Sequence, residues 1–185
     1  MATIGVTGHV NLTGASVAPV AEALRALLGR LPAAELTGMS CLAPGADTVF
    51  GDVVLALGGR LVAVLPSFDY RARMREGPDA VAFDRLLRAA ADVEVMPYRR
   101  AGTDAYAAAD RLVLGRAELL IAVWDGGPGG RRGGTADTVA AARARGLPVE
   151  VVWPAGAARQ DPARPAVRAE RSRRGPGRAD RRGTP

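Results

Sequence analysis

Lysine is absent from the 185 residues, and all 25 basic side chains are arginine. With abundant alanine, glycine and proline, this is the imprint of a GC-rich genome and says little about chemistry. The single cysteine, Cys41, excludes an intramolecular disulfide and fits a reducing compartment. The single histidine, His9, together with one cysteine, supplies no plausible metal-ligand set, so neither a metal nor a cofactor is expected. No apolar run approaches the roughly 18 residues of a membrane span, so no membrane partner is expected. The first residues, Met-Ala-Thr-Ile-Gly-Val, run directly into a strand without a charged segment and cleavage site; no signal peptide is expected, and the cytoplasm is the expected location.

What is present suits one domain with an ample core, since 48% of the residues are hydrophobic. The formal charge of +6 is unevenly spread. Residues 1–154 hold 16 arginines and 16 acids, whereas residues 155–185 hold nine arginines and three acids. After Pro154 the chain is arginine, proline, glycine and alanine with hardly an apolar anchor, which predicts a disordered basic tail over 155–185 behind a folded unit at 1–154. That charge alone fits nucleic acid or an acidic partner, although an inert solvated extension is the simpler reading.

The folded unit is organised around residues 118–154. An apolar run, Leu119 to Trp124, leads into a glycine-rich loop, Asp125 to Gly134, then an alanine-rich helix from Thr135, which reads as its N-cap, and a last strand at 149–153. A buried strand that runs through glycines into a helix exposes backbone N–H groups at the positive end of a helix dipole, where a phosphate is stabilised. Loop glycines are often plain connectors, but six fall within nine residues here.

The chain opens in the same way. A strand at 2–7 meets Gly8-His9, and the helix that follows, about residues 16–30, carries Val17, Val20, Leu24, Leu27 and Leu28 at a helical period. Gly5, Gly8 and Gly14 lack the spacing of a dinucleotide fingerprint. His9 reads either as a ligand to phosphate or ribose or as a polar loop residue. A second strand at 35–40 turns through Cys41 to Asp47 into a helix at 48–57, with Asp47 as its natural N-cap. Strands at 60–65 and 93–96 and helices at 79–91 and 103–116 complete the pattern. The arginine-rich stretch 67–78 reads as a lid, a phosphate clamp or a solvated loop.

Strands alternating with helices specify a Rossmann-like, doubly wound α/β fold: a mostly parallel sheet of about six strands with helices on both faces. Ligands of such sheets bind beyond the carboxyl ends of the strands, where the connection reverses. With strand 2–7 placed beside strand 118–124, three turns converge on one expected cleft. It comprises Thr7, Gly8 and His9; Ser40, Gly45, Ala46 and Asp47; and Asp125, Gly133, Gly134 and Thr135.

The run Ser40-Cys41-Leu42-Ala43-Pro44-Gly45-Ala46-Asp47, followed by Leu57 to Leu65, resembles the Rossmann-like domain of the DNA-processing protein A family. There a serine-glycine-leucine-alanine-arginine-glycine-isoleucine-aspartate turn precedes a helix and a glycine-led strand. The glycine-rich turn ending at Thr135 resembles both that family and the Lonely Guy phosphoribohydrolases, and together these point to the SLOG superfamily. The resemblance implies binding of a nucleotide or nucleotide-derived ligand, and a homodimer. It also implies two alternatives, an N-glycosidase acting on nucleoside monophosphates and a single-stranded DNA binder. Within the Lonely Guy motif the first glutamate is replaced by Asp137, the candidate catalytic carboxylate, and the second by Thr138. Nucleoside 2-deoxyribosyltransferases are similar around Leu119–Asp125, but their nucleophilic glutamate also falls on Thr138. Binding without turnover is therefore the expected function.

Overall fold

The computed structural model describes residues 2–128 and 134–160. Among these residues there are six strands: β1 (Ala2–Gly8), β2 (Leu36–Ser40), β3 (Arg60–Leu65), β4 (Asp92–Val95), β5 (Leu119–Val123) and β6 (Val149–Val151). Their order across the sheet is β4-β3-β2-β1-β5-β6, and every pairing is parallel. Five α-helices connect them: α1 (Gly14–Leu28), α2 (Ala46–Ala56), α3 (Pro78–Ala89), α4 (Thr103–Arg116) and α5 (Thr135–Ala144). This is the expected Rossmann-like, doubly wound α/β fold. The chain winds outward from β1 through β2, β3 and β4, then returns to pair β5 with the free side of β1.

The apolar pattern dictates the layers. Along β3, Leu61, Ala63 and Leu65 point to one face and Val62 and Val64 to the other, and all five are buried. A strand covered on both sides reads as such a continuous run. The larger core lies under α1, α2 and α3, with Leu24, Leu28, Phe50, Phe83 and Leu86 packed on Ile4, Val6, Leu61 and Ile121. On the opposite face Ala109 and Val113 of α4 cover Met39, Val62 and Val64, and Leu114 of α4 and Ala142 of α5 meet over Leu120. Helices on two faces, begun from β1 in one direction and from β5 in the other, leave a crevice between those strands at their carboxyl ends.

One boundary differs from expectation. The chain does not leave the fold at Pro154, because residues 155–160 lie along the β1–α1 connection. Leu12 and Arg159 form an antiparallel bridge, Thr13 N–H donates to the carbonyl of Ala158, and Gln160 N–H donates to that of Asn11. Ser16 Oγ donates to the Ala158 carbonyl at 3.0 Å and accepts from its N–H at 2.8 Å. Backbone pairing, to which arginine-rich composition is blind, holds this strap. The rest of the expected tail lies outside the described residues.

Candidate functional site

At the end of β1 the chain makes its closest approach to α2. A Cβ on Gly8 would collide with the methyl of Ala46 and sit 2.8 Å from the carbonyl oxygen of Val123. The approach lets Ala46 N–H donate to the carbonyl of His9 at 3.1 Å and His9 N–H to that of Val123 at 3.1 Å. Gly45, with φ of +77°, occupies the left-handed region that glycine enters without cost.

The β2–α2 turn is built on Asp47, and not as a helix cap. Helix α2 starts at Ala46 with Gly45 in the N-cap position. The Asp47 carboxylate turns back to accept from Ser40 Oγ at 3.0 Å and from Cys41 N–H at 3.1 Å, while Ser40 Oγ accepts from Leu42 N–H. These bonds hold Leu42, fully buried, at a φ of +55°, a conformation that costs a non-glycine residue roughly 1–2 kcal/mol. Thr135 likewise is the first residue of α5, with Gly134 in the N-cap position.

Beyond β5, His9 Nε2 lies 3.0 Å from Asp125 Oδ1, and Arg159 Nε lies 3.0 Å from Asp125 Oδ2. Trp153 meets the His9 ring edge to face at 5.4 Å. Desolvation acts to raise the Asp125 pKa, but the N–H of Gly127 and the His9 and Arg159 contacts outweigh it and hold the carboxyl below its ordinary value. Asp125 is thus the joint between β1, β5 and the strap.

These pieces surround a cleft of about 1080 Å³, at the upper end of the roughly 300–1,000 Å³ usual for small-molecule sites. Thr7, Gly8, His9, Asp47, Gly134 and Thr135 line it, as do the first turns of α2, α4 and α5. Ser40, Gly45, Ala46 and Asp125 do not line it; Ser40 and Ala46 are fully buried, and Ser40, Ala46 and Asp125 bond residues that do. Asp137 is exposed on α5 and is also absent from the lining, where its neighbour Thr138 appears instead. Gly133 lies outside the described residues. Of the arginines in the 67–78 loop, Arg73 reaches the cleft; Arg71 is held away by Asp84 at 2.7 Å and Glu76 at 3.1 Å.

Several lining residues carry no motif that sequence reading could find. Asp110, on α4, accepts from Thr138 Oγ1 at 3.2 Å. Burial pushes its pKa up to about 6, against the opposing effects of that hydrogen bond and of Arg111. Burial likewise raises Asp47 to about 7, with the hydrogen bonds from Ser40, Ala43 and Cys41 opposing it and the charge of Asp110 adding to it. Desolvation and the same two carboxylates push the Cys41 thiol well up, so it is no nucleophile at neutral pH. Tyr70 is raised by burial first and by Cys41, Asp47, Tyr106 and Asp110 after it. The deep end of the cleft is therefore acidic. At its rim stand Arg73 and Arg159, whose side chains are 56% and 48% exposed and are paired with Asp69 at 3.5 Å and Asp125 at 3.0 Å. Among the described residues, no group of three acidic, histidine or cysteine side chains is arranged to hold a metal ion. None of the described helices is long and apolar enough to cross a membrane.

No protein-family model matches the sequence, and no curated protein matches it. Solved structures do match. DNA processing protein A from Streptococcus pneumoniae superposes over 83% of this chain and 51% of its own, with a TM-score of 0.62 at 20% identity. The chain has the fold of DNA processing protein A. The Helicobacter pylori DNA processing protein A, described for its single-stranded DNA binding mode, matches over 83% of this chain and 66% of its own, with a TM-score of 0.58 at 15% identity. A molybdenum cofactor binding protein from Rippkaea orientalis matches over 81% and 75%, with a TM-score of 0.52 at 16% identity. The chain thus spans about half the length of the first DNA processing protein A and about two thirds of the second. The likeness expected from Ser40 to Asp47 holds for the fold.

Proposed function

We propose that this protein binds a nucleotide-derived small molecule in the cleft between β1 and β5, as a carrier or sensor working in the cytoplasm. The observation that carries this reading is the convergence of three helix N-termini on one cleft. Ala43, Pro44 and Asp47 at α2, Gly102 and Thr103 at α4, and Gly134 to Ala136 at α5 all line it. Each terminus directs backbone N–H groups and the positive end of a dipole towards the same space. Arg73 and Arg159 add charge at the rim. Two proteins of this fold, one described as binding a molybdenum cofactor and one as binding single-stranded DNA, support a ligand site on this fold.

Binding without turnover is the favoured form. The acid expected to assist departure of a base, Asp137, is exposed and outside the lining, and the position beside it is a threonine. The alternative, an N-glycosidase of nucleoside monophosphates, requires a carboxylate in the cleft to take that role, which leaves Asp47 and Asp110. A thermal-shift panel of nucleoside mono-, di- and cyclic phosphates tests the binding reading, with free base followed in the same samples. Stabilisation by at least one nucleotide without base release is expected. Stabilisation by none contradicts the proposal, and base release replaces it with the enzyme.

A further inference from the structure

The cleft is not uniform, and its two ends ask for different parts of a ligand. At the deep end the Tyr70 side chain is only 8% exposed and Asp47 only 7%. Tyr70 lines the cleft, and its hydroxyl makes no hydrogen bond among the described residues. No buried polar side-chain atom among them lacks a partner, so this hydroxyl is open to the cleft rather than sealed in the core. Its ring is held edge to face by Phe83 at 5.9 Å and by Tyr106 at 6.2 Å, so the hydroxyl is fixed in place. Of the carboxylates beside it, Asp47 is taken up by the protein, engaging Ser40 and Cys41 through Oδ2 and Ala43 as well. Asp110 engages Thr138 through Oδ2 and has its second oxygen to offer. Tyr106, which also lines the cleft, is 40% exposed and presents an aromatic surface there. A phosphate is repelled by the Asp110 carboxylate and has the arginine-bearing rim and helix N-termini available instead.

We infer that the deep end of the cleft, formed by Asp110, Asp47, Tyr70 and Tyr106, reads the hydrogen-bond-donating edge of a planar heterocycle, with Asp110 accepting from adjacent ring N–H and exocyclic amino groups of a guanine-type base. A carboxylate matches two parallel N–H donors as it matches the guanidinium fork, and it rejects an edge that offers acceptors. A site that hydrogen-bonds a substrate N–H discriminates strongly against the analogue lacking it, because its buried polar group is then left without a partner. This assignment rests on the proposal that a nucleotide occupies the cleft, and it orients that nucleotide with its phosphate at Arg73 and Arg159.

Guanosine and inosine monophosphates differ only in the 2-amino group, so calorimetric titration of the full chain with each isolates the donor edge. The guanosine nucleotide is expected to bind about tenfold more tightly or better. In Asp110→Asn, whose amide oxygen still serves Thr138, the two are expected to bind within about twofold of each other. Arg73→Ala is expected to weaken both equally and leave their ratio intact. Equal binding of the two nucleotides by the unaltered protein, or a preference that survives Asp110→Asn, overturns the inference while the nucleotide reading stands. Binding of neither nucleotide, nor of any other in the thermal-shift panel, overturns both.

Discussion

Thr138 Oγ1 lies 3.2 Å from Asp110 Oδ2 and so ties the first turn of α5 to α4 at the deep end of the cleft. The bond favours the ionised carboxylate, and its loss is felt most when Asp110 is charged. Thr138→Val is expected to lower stability by about 1 kcal/mol, and by more at pH 8 than at pH 5. Denaturant unfolding at the two pH values checks this; an equal loss at both shows that the hydroxyl serves packing alone.

Asp47 makes stability depend on pH in the direction opposite to a surface carboxylate. Its folded pKa is about 7 against an ordinary value of 3.8, so across that window the folded state keeps a proton that the unfolded chain has released. Stability therefore falls as pH rises from about 4 to 7 and levels above it. Asp110, raised to about 6, adds to the fall over the lower part of the window. Asp47→Asn is expected to flatten the dependence, leaving the Asp110 part, and to raise the melting temperature relative to the parent most at pH 8. Asp47→Ala strips Ser40 Oγ and Cys41 N–H of their acceptor and is expected to cost about 2–3 kcal/mol at pH 4 and less at pH 8, where the parent has lost the stability its proton gave. Thermal melts from pH 4 to 8 decide between these outcomes.

Gly8 is held by packing as well as by its place beside the cleft. Gly8→Ala is expected to destabilise the fold by about 1–3 kcal/mol through overpacking against Ala46 and the Val123 carbonyl. A variant as stable as the parent shows that the β1–α2 approach relaxes freely.

The strap separates two truncations. Ending the chain after Pro154 removes the Arg159–Asp125 ion pair and the Ser16–Ala158 bonds, so the melting temperature is expected to fall by several degrees. Ending it after Gln160 keeps them, and residues 161–185 offer hardly an apolar side chain to a core, so little change is expected. Equal melting temperatures for the two truncations contradict the docking of residues 155–160.

The layers of this fold were legible because its central strands are buried on both faces. Runs such as Leu61 to Leu65 and Leu119 to Val123 have no other use, and Thr103–Arg116 forms the helix its pattern predicts. The pairing of β1 with β5 followed from the alternation of strands and helices. The chemistry of the cleft was harder to read. An aspartate before a helix looks like a cap, yet Asp47 lies one residue inside α2 and bonds backwards to β2, which no local rule favours over capping. Asp110 sits mid-helix with an arginine next to it and resembles any solvated position; its burial comes from α5, which follows it by some 25 residues. The strap at 155–160 is fixed by backbone pairing with residues 11–13 and by Ser16, and such pairing leaves no mark on composition. Asp137 was reached through a motif whose next residue had changed to Thr138, and it is Thr138 that turns inward.

Amide hydrogen exchange, with and without saturating guanosine monophosphate, tests the central claim most directly because it locates the ligand without assuming its contacts. Protection is expected at residues 6–11, 41–47, 70–74, 101–110, 134–138 and around Arg159, the segments that line the cleft, and little change elsewhere. Protection absent from those segments, or confined to residues 161–185, contradicts a ligand site at the carboxyl ends of β1 and β5.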